Sequence, residues 1–456
     1  MHYHFIAIGG SAMHNLAIAL HKKGEKITGS DDEIFEPSRS RLLKYGILPE
    51  KEGWSPEKIS TGIDAIVLGM HAKSDNPELL KAKELGLTIY SYPEFLYNQT
   101  KNKTRVVIGG SHGKTSTTAM IMHVLNKLSM DFDYMVGAQL EGFDTMVNFS
   151  DTSKIAVFEG DEYLTSPIDL RPKFHLYQPH IALITGIAWD HINVFPTFEN
   201  YVSQFAQFVE LIEDGGSLVY FEGDEILRKI VSESKRKIKF IPYNTHSNKV
   251  EKGITTLIHG NEEIPLKIFG NHNLQNLSGA LFVCKELGIT ENEFYNAISS
   301  FEGASKRLQL LGENSELAIY QDFAHSPSKL TATINSVKEQ FPEKQIIACM
   351  ELHTYSSLSK SFLKEYKGSM QMADKAIVFF SNHALELKRL QKIEKSEIFI
   401  SFDKQGLKVI NDTEELKKEL NFMEFNNSIL LFLSSGNFGG VDIKQFACEL
   451  MKKTGN

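Results

Sequence analysis

The residues best placed to do chemistry lie in the run Gly109-Gly110-Ser111-His112-Gly113-Lys114-Thr115-Ser116, which follows the apolar Val106-Val107-Ile108. The pattern predicts a buried strand, a glycine turn and a helix start, where free backbone N–H groups and the helix dipole attract phosphate. Lys114 supplies a point charge for the terminal phosphates of a nucleotide, and the Thr115 hydroxyl is an oxygen ligand for Mg²⁺. The spacing is that of a P-loop variant, because the general motif has glycine at the position of Ile108. Further along, Glu159-Gly160-Asp161-Glu162 closes the apolar run Ile155-Ala156-Val157-Phe158, and Asp190-His191 lies beyond a second such run at 181–185. Carboxylates at strand ends beside a P-loop suit Mg²⁺, a hard ion that takes carboxylate, hydroxyl and water oxygens. Asp161 and Glu162 read equally well as helix N-caps. On chemistry alone His191 is a less natural Mg²⁺ ligand.

Other polar clusters recur at predicted strand ends. Gly9-Gly10-Ser11-Ala12-Met13-His14 is a glycine-rich βα turn short of a full dinucleotide fingerprint, with Asp31 about 20 residues on, where an acid can hold a ribose hydroxyl. His71-Ala72-Lys73-Ser74-Asp75-Asn76-Pro77 is a polar loop in which Pro77 starts a helix. Gly270-Asn271-His272-Asn273-Leu274-Gln275-Asn276 leads into an apolar helix predicted over 277–287, with amides that can read a purine edge or cap the helix. Lys306-Arg307 is a basic pair near a domain junction that reads first as a solvated charge pair. Asp322-Phe323-Ala324-His325-Ser326-Pro327, Glu351-Leu352-His353-Thr354-Tyr355 and Ser434-Ser435-Gly436-Asn437-Phe438-Gly439-Gly440 are three loops that a parallel sheet would bring to one edge.

The elements that must carry these loops read as α/β throughout. Short apolar runs alternate with helical patterns, the signature of parallel sheets with crossover helices. The chain has 456 residues, 42% of them hydrophobic, enough for about three domains. The expected boundaries are a Rossmann-like domain at 1–100, a P-loop ATPase-like domain at 101–310 and a second Rossmann-like domain at 311–456. A polar connector is expected at 98–104, a hairpin about Gly260-Asn261, and helices at 328–339, 359–372 and 443–453. A net charge of -8 without a basic block argues against nucleic acid. Three scattered cysteines indicate neither zinc nor disulfides. With no signal-peptide pattern at the N-terminus and no long apolar run, a cytoplasmic protein without membrane contact is expected.

Taken together, the Gly9-Gly10 turn, Gly29-Ser30-Asp31, Asp75-Asn76-Pro77-Glu78, Gly110 to Thr115, Glu159 to Glu162, Asp190-His191, Gly270 to Asn273 with Asn276, Arg307 and Asp322 to Pro327 resemble the Mur ligases, ATP-dependent amide-forming enzymes of peptidoglycan metabolism. The resemblance covers nearly the whole chain. It implies ATP and Mg²⁺ as cofactors and UDP-N-acetylmuramate plus an amino acid or short peptide as substrates, joined through an acyl phosphate. By the same resemblance Lys114, Glu159 and His191 are catalytic, with Thr115, Glu159 and His191 holding metal. Gly110, Ser111, His112, Gly113, Lys114, Thr115, Ser116, His272, Asn273, Asn276, Arg307, Asp322 and His325 are expected on ATP. Gly9, Gly10, Ser11, Ala12, Ser30, Asp31 and His71 are expected on the UDP-sugar, and His353, Tyr355, Ser435 and Asn437 on the amino substrate. Asp161-Glu162-Tyr163 with Asp169, Arg171 and Lys173, and the Gly436 to Gly440 run, resemble the branch that adds the peptide L-Ala-γ-D-Glu-meso-diaminopimelate in peptidoglycan recycling. The alternative is the branch that adds L-alanine in biosynthesis. Two readings from other classes are a UDP-sugar sensor that hydrolyses ATP and a nicotinamide-dependent oxidoreductase, against which the incomplete glycine fingerprint argues.

Overall fold

The computed structural model describes residues 1–166, 168–189, 194–251, 253–304 and 307–454. Contacts group the chain into two compact units, one of residues 1–246 with 275–299 and the other of residues 247–274 with 300–456. The expected three-domain α/β architecture is observed, built on three sheets with parallel cores.

The first unit holds two of them. The N-terminal sheet pairs Lys26–Ser30, His2–Ile6, Ala65–Leu68 and Ile89–Ser91, in that order and all in parallel. Its two central strands, His2–Ile6 and Ala65–Leu68, are almost wholly buried, as expected where helices cover both faces of a parallel sheet. Helix Ser11–Lys22 begins directly after the first βα turn. Helix Pro77–Glu84 starts where Pro77 predicts, with the Asn76 side chain accepting from the N–H groups of Glu78 and Leu79. The connector expected at 98–104 is shorter than its polarity suggests. Helix Tyr92–Thr100 continues through Asn98 and Gln99, held at its start by a Ser91–Glu94 capping box.

The central sheet has seven strands, with Thr104–Gly109 between Ile181–Ile184 and Ile155–Glu159. Helix Lys114–Lys127 follows the glycine turn. The start of the strand is tied down by Arg105, which is fully buried and donates to the carbonyls of Thr100, Lys101, Tyr177 and Gln178 and to the Glu213 carboxylate. A buried guanidinium persists only when its donors are satisfied in this way.

The second unit contains a six-stranded sheet in which Leu317–Asp322, Ser428–Leu433 and Gln345–Leu352 are adjacent and parallel. Their C-terminal ends therefore share one edge, as the sequence predicts. A small antiparallel sheet carries the expected hairpin, Ile254–His259 with Glu262–Pro265. Two elements depart from expectation. The helix expected at 277–287 is Asn271–Glu286, and its first residues belong to the second unit while the rest belongs to the first. The helix expected at 359–372 is reduced to Lys360–Leu363 and a 3₁₀ turn Lys364–Tyr366. Gly368 at φ +73° ends it, and Tyr366 turns inward to stack on Phe402 at 4.9 Å.

Candidate functional site

In the first unit the turn after Thr104–Gly109 forms a cradle of backbone around a charged lysine. Gly110 has φ +125° and Gly113 has φ +79°. A side chain at Gly110 would bring its Cβ within 2.1 Å of Thr185 Oγ1, and one at Gly113 within 2.2 Å of Asn276 Oδ1. Both positions therefore need glycine for backbone conformation and for space. Ser111 N–H donates to the Gly186 carbonyl at 2.9 Å, and Thr185 Oγ1 donates to the His112 carbonyl. Gln275 Nε2 donates to the Thr185 carbonyl at 3.0 Å, so the helix that presents Asn276 also supports the turn.

Lys114 Nζ donates to the Gly110 carbonyl and to Glu162 Oε2, both at 2.7 Å. Burial opposes the lysine charge, but the carboxylates of Glu162, Asp161 and Glu159 outweigh it and hold the pKa above the ordinary lysine value. The other Glu162 oxygen accepts from Tyr201 Oη at 3.0 Å, and Tyr201 Oη lies 2.8 Å from Ser111 Oγ. Asp161 is paired with Lys173 at 2.6 Å. Burial pushes its pKa up, yet Lys173 and Lys114 bring it down to about 2. Neither acid caps a helix among the described residues: Asp161 accepts from the Tyr163 N–H in its own turn and Glu162 faces Lys114.

Thr115 Oγ1 donates to Glu159 Oε1 at 2.9 Å, and the Gly137 N–H donates to Oε2 at 2.7 Å. A hydroxyl and a carboxylate meeting beside a glycine turn are oxygen donors of the kind a hard cation takes. Among the described residues no group of three or more His, Cys, Asp or Glu forms a protein-only metal cage. His191, with Asp190, lies outside the described residues. Glu162 and Tyr201 are absent from the residues expected in the site. Glu162 was visible in sequence as an acid of the Glu159 run, whereas Tyr201 sits on a different helix, Phe198–Glu210, with no local signal.

At the N-terminal sheet edge, Gly9 N–H donates to Asp31 Oδ2 at 2.7 Å. Burial and the neighbouring Asp32 raise the Asp31 pKa to about 6. Gly10 is the N-cap of helix Ser11–Lys22, so Ser11 and Ala12 stand in its first turn. Ser30 ends the adjacent strand beside Asp31, and His71 is exposed in the loop after Ala65–Leu68.

The second unit brings together His272, Asp322, Arg307 and His325 within itself. Asp322 is buried, accepting from the Phe323 N–H at 2.7 Å and from the Thr333 hydroxyl. Burial lowers the pKa of His272, with Asp322 acting in the opposite direction. Its Nδ1 lies 3.1 Å from Ser336 Oγ. The Arg307 guanidinium stacks 4.7 Å over Phe323, whose ring meets His325 edge-on at 5.1 Å. Asn273 Nδ2 donates to the Phe269 carbonyl. At the neighbouring strand ends the buried acid is Glu351, which the sequence places in a polar strand-end loop but not among the expected site residues. It accepts from Ser434 Oγ and from the Phe438 N–H, and lies 3.7 Å from His353. Tyr355 is exposed, Ser435 is half-buried, and Asn437 caps its own turn through the Gly440 N–H.

Three family descriptions match consecutive parts of the chain. "Mur ligase family, catalytic domain" matches residues 2–104, "Mur ligase middle domain" 108–284 and "Mur ligase, glutamate ligase domain" 306–436. The chain is 31% identical to the UDP-N-acetylmuramate–L-alanine ligase of Caldicellulosiruptor bescii over 89% of each sequence. Its fold is similar to that of the UDP-N-acetylmuramate-alanine ligase of Thermotoga maritima, at TM-score 0.72, 20% identity and 99% coverage of both chains. It is also similar to the murein peptide ligase of Psychrobacter arcticus, at TM-score 0.66 and 20% identity over 100% of this chain and 99% of that one. No helix among the described residues is long and apolar enough to cross a membrane. Three family models matched in order between residues 2 and 436, with a relative 31% identical over 89% of each sequence, place this chain in the Mur ligase family.

Proposed function

We propose that the chain is an ATP-dependent ligase joining the lactyl carboxylate of UDP-N-acetylmuramate to the amino group of L-alanine, with release of ADP and phosphate. The single observation that carries the chemistry is the junction of the Gly110–Thr115 turn with Glu159, which brings a lysine, a hydroxyl and a carboxylate to one strand-end turn. In the proposed first step a carboxylate oxygen attacks the γ-phosphorus and ADP leaves, forming an acyl phosphate. The amine then attacks the acyl carbon, loses a proton and expels phosphate. The first step brings like charges together, and Lys114 offsets that repulsion as charge moves onto the leaving β-phosphate. Mg²⁺ bound with the nucleotide would neutralise phosphate charge. Thr115 and Glu159 fit it, with His191 proposed for a second ion by family resemblance.

Gly110 to Ser116 are assigned to the phosphates of ATP, and His272, Asn273, Asn276, Arg307, Asp322 and His325 to the rest of the nucleotide. Gly9, Gly10, Ser11, Ala12, Ser30, Asp31 and His71 are assigned to the UDP-sugar. His353, Tyr355, Ser435 and Asn437 are assigned to the amino substrate, with Glu351 as the anchor of that loop pair. The domain limits 1–100, 101–310 and 311–456 are retained as the functional division, and the cytoplasm, where nucleotide precursors are made, as the place of action.

L-alanine is preferred as acceptor because the relative sharing 31% of its residues bears that activity in its name. The peptide acceptor expected from the sequence becomes the second reading. It is favoured by the likeness to a murein peptide ligase and by the ion pairs Asp169–Arg171 and Asp161–Lys173 in the run that resembles that branch. Both acceptors present an L-alanyl amine. Incubation with each in turn, followed by mass measurement of the UDP-linked product, separates them: the proposal expects faster turnover with free L-alanine. Turnover confined to the peptide would transfer the chain to the second reading.

A further inference from the structure

The loop between the short strands Asp133–Met135 and Val147–Asn148 links two places that the proposed reaction must bring into register. Its base is closed by the Val136 N–H donating to the Met146 carbonyl at 3.0 Å. At one end, Gly137 N–H donates to Glu159 Oε2 at 2.7 Å, and a Cβ on Gly137 would stand 2.9 Å from the other carboxylate oxygen. The carboxylate that meets Thr115 is thus seated on this loop. At the other end, the Met146 N–H donates to Asn15 Oδ1 at 3.0 Å. Asn15 is fully buried, and its amide nitrogen donates to the Ser11 carbonyl at 2.8 Å, in the turn that follows Gly9-Gly10.

Between these ends the loop is strapped along helix Ser11–Lys22 and its neighbour. Arg41 donates to the Asp144 carbonyl at 2.7 Å, Tyr45 Oη donates to Asp144 Oδ2 at 2.8 Å, and Lys22 pairs with the same carboxylate. Singly, exposed pairs of this kind contribute little. Here one side chain and its own carbonyl are gripped by three residues while a buried amide fixes the loop terminus. These contacts hold the loop against the N-terminal helix.

We infer that the Gly137–Met146 loop is a positioning strap, with Asn15 and Asp144 as positioning residues. Through it, a ligand settling on the Gly9–Ser11 turn orders the Glu159 carboxylate for Mg²⁺ and nucleotide. The inference rests on the proposed places of the UDP-sugar and the metal. Coupling between sites is a reciprocal free energy, so each ligand must tighten the other by the same factor. A chain of contacts becomes a route only when that factor is measured.

The experiment is calorimetric titration of the full-length protein with Mg²⁺ and a non-hydrolysable ATP analogue, with and without UDP-N-acetylmuramate. Wild type, Asn15→Leu, Asn15→Asp and Asp144→Ala are compared. In wild type the sugar nucleotide is expected to tighten the analogue by at least about five-fold, the lower end of ordinary coupling. Asn15→Leu loses both the Met146 and the Ser11 bonds and should bring the factor below about two-fold, with the analogue's affinity in the absence of sugar unchanged. Asn15→Asp keeps the acceptor for Met146 and should retain most of the coupling, and Asp144→Ala should fall between. A role confined to stability would lower the melting temperature of Asn15→Leu and leave the factor intact, and that result overturns the inference. So does a wild-type factor of one. If both ligands bind with coupling but no amide forms with any acceptor, the proposed function fails and the strap stands. If amide forms while the factor is unchanged in every variant, the strap fails and the function stands.

Discussion

Replacing Glu162 tests the electrostatics of the cradle most sharply. Lys114 and Glu162 are 2.7 Å apart, with side chains 15% and 1% exposed. At an effective dielectric constant of about 20 their gross attraction is about 6 kcal/mol, most of it offset by the cost of taking two charges out of water. Deleting one partner leaves the other buried and unpaired, which costs about 3–5 kcal/mol. Glu162→Ala should therefore destabilise the first unit by that amount. Glu162→Gln keeps one acceptor, which can face Lys114, turns an amide donor toward the Tyr201 hydroxyl oxygen, and should lose about 1–3 kcal/mol. Lys114→Met combined with Glu162→Gln removes both charges and should recover much of the loss, a coupling read directly by a double-mutant cycle. The carboxylates, Glu162 first, hold the Lys114 pKa above its ordinary value, so the lysine's share of this stability is present at neutral pH and is lost as pH rises from about 10 through the native value. Because phosphate supplies a new counter-ion, Mg²⁺ with ADP should raise the melting temperature of Glu162→Gln more than that of wild type, measured by differential scanning fluorimetry at matched saturation. Equal ligand-induced shifts, or a Glu162→Ala variant that melts with wild type, would refute the reasoning.

Gly113→Ala places a methyl 2.2 Å from Asn276 Oδ1 on a backbone at φ +79°, and it should weaken ADP binding at least ten-fold in a fluorescence titration while the UDP-sugar still binds. Asp31 has a native pKa raised to about 6, so the folded state binds its proton more tightly than the unfolded chain, and stability should fall as pH rises from about 4 to about 6; in Asp31→Asn, urea denaturation across that range should show this fall removed. Arg105→Met removes the guanidinium donor from the carbonyls of Lys101, Tyr177 and Gln178 and one of two donors from that of Thr100, and chemical denaturation should report a loss of about 3–5 kcal/mol, as for other broken buried charge networks.

What could be read from sequence was whatever a short run of residues decides. The cradle at 109–116, the helix start at Asn76-Pro77, the turn at Gly260-Asn261 and the three polar strand ends at 322, 351 and 434 each follow from local spacing and are observed. Element limits failed where long-range packing wins over propensity. Asn271 to Asn276 reads as a polar entry yet is helical from its first residue, with Asn273 bonded back to Phe269 and Gln275 to Thr185. The apolar residues at 359–372 read as one helix, but Tyr366 leaves that face to stack on Phe402 and to reach the His325 carbonyl. The side chains around Lys114 were partly hidden for the same reason. Glu162 lies 48 residues from Lys114 and Tyr201 a further helix away, so their meeting depends on strand order in the central sheet. The Asn15–Met146 link, 131 residues apart in sequence, had no local signature at all.

The most direct measurement is ADP and amide formation in one reaction mixture containing ATP, Mg²⁺, UDP-N-acetylmuramate and an L-alanyl amine, with each component omitted in turn. The account predicts one ADP per amide bond, no sustained ADP release without the amine, and loss of both products in Lys114→Ala. Sustained ADP release in the absence of amine, or ADP without a UDP-linked amide, would contradict it.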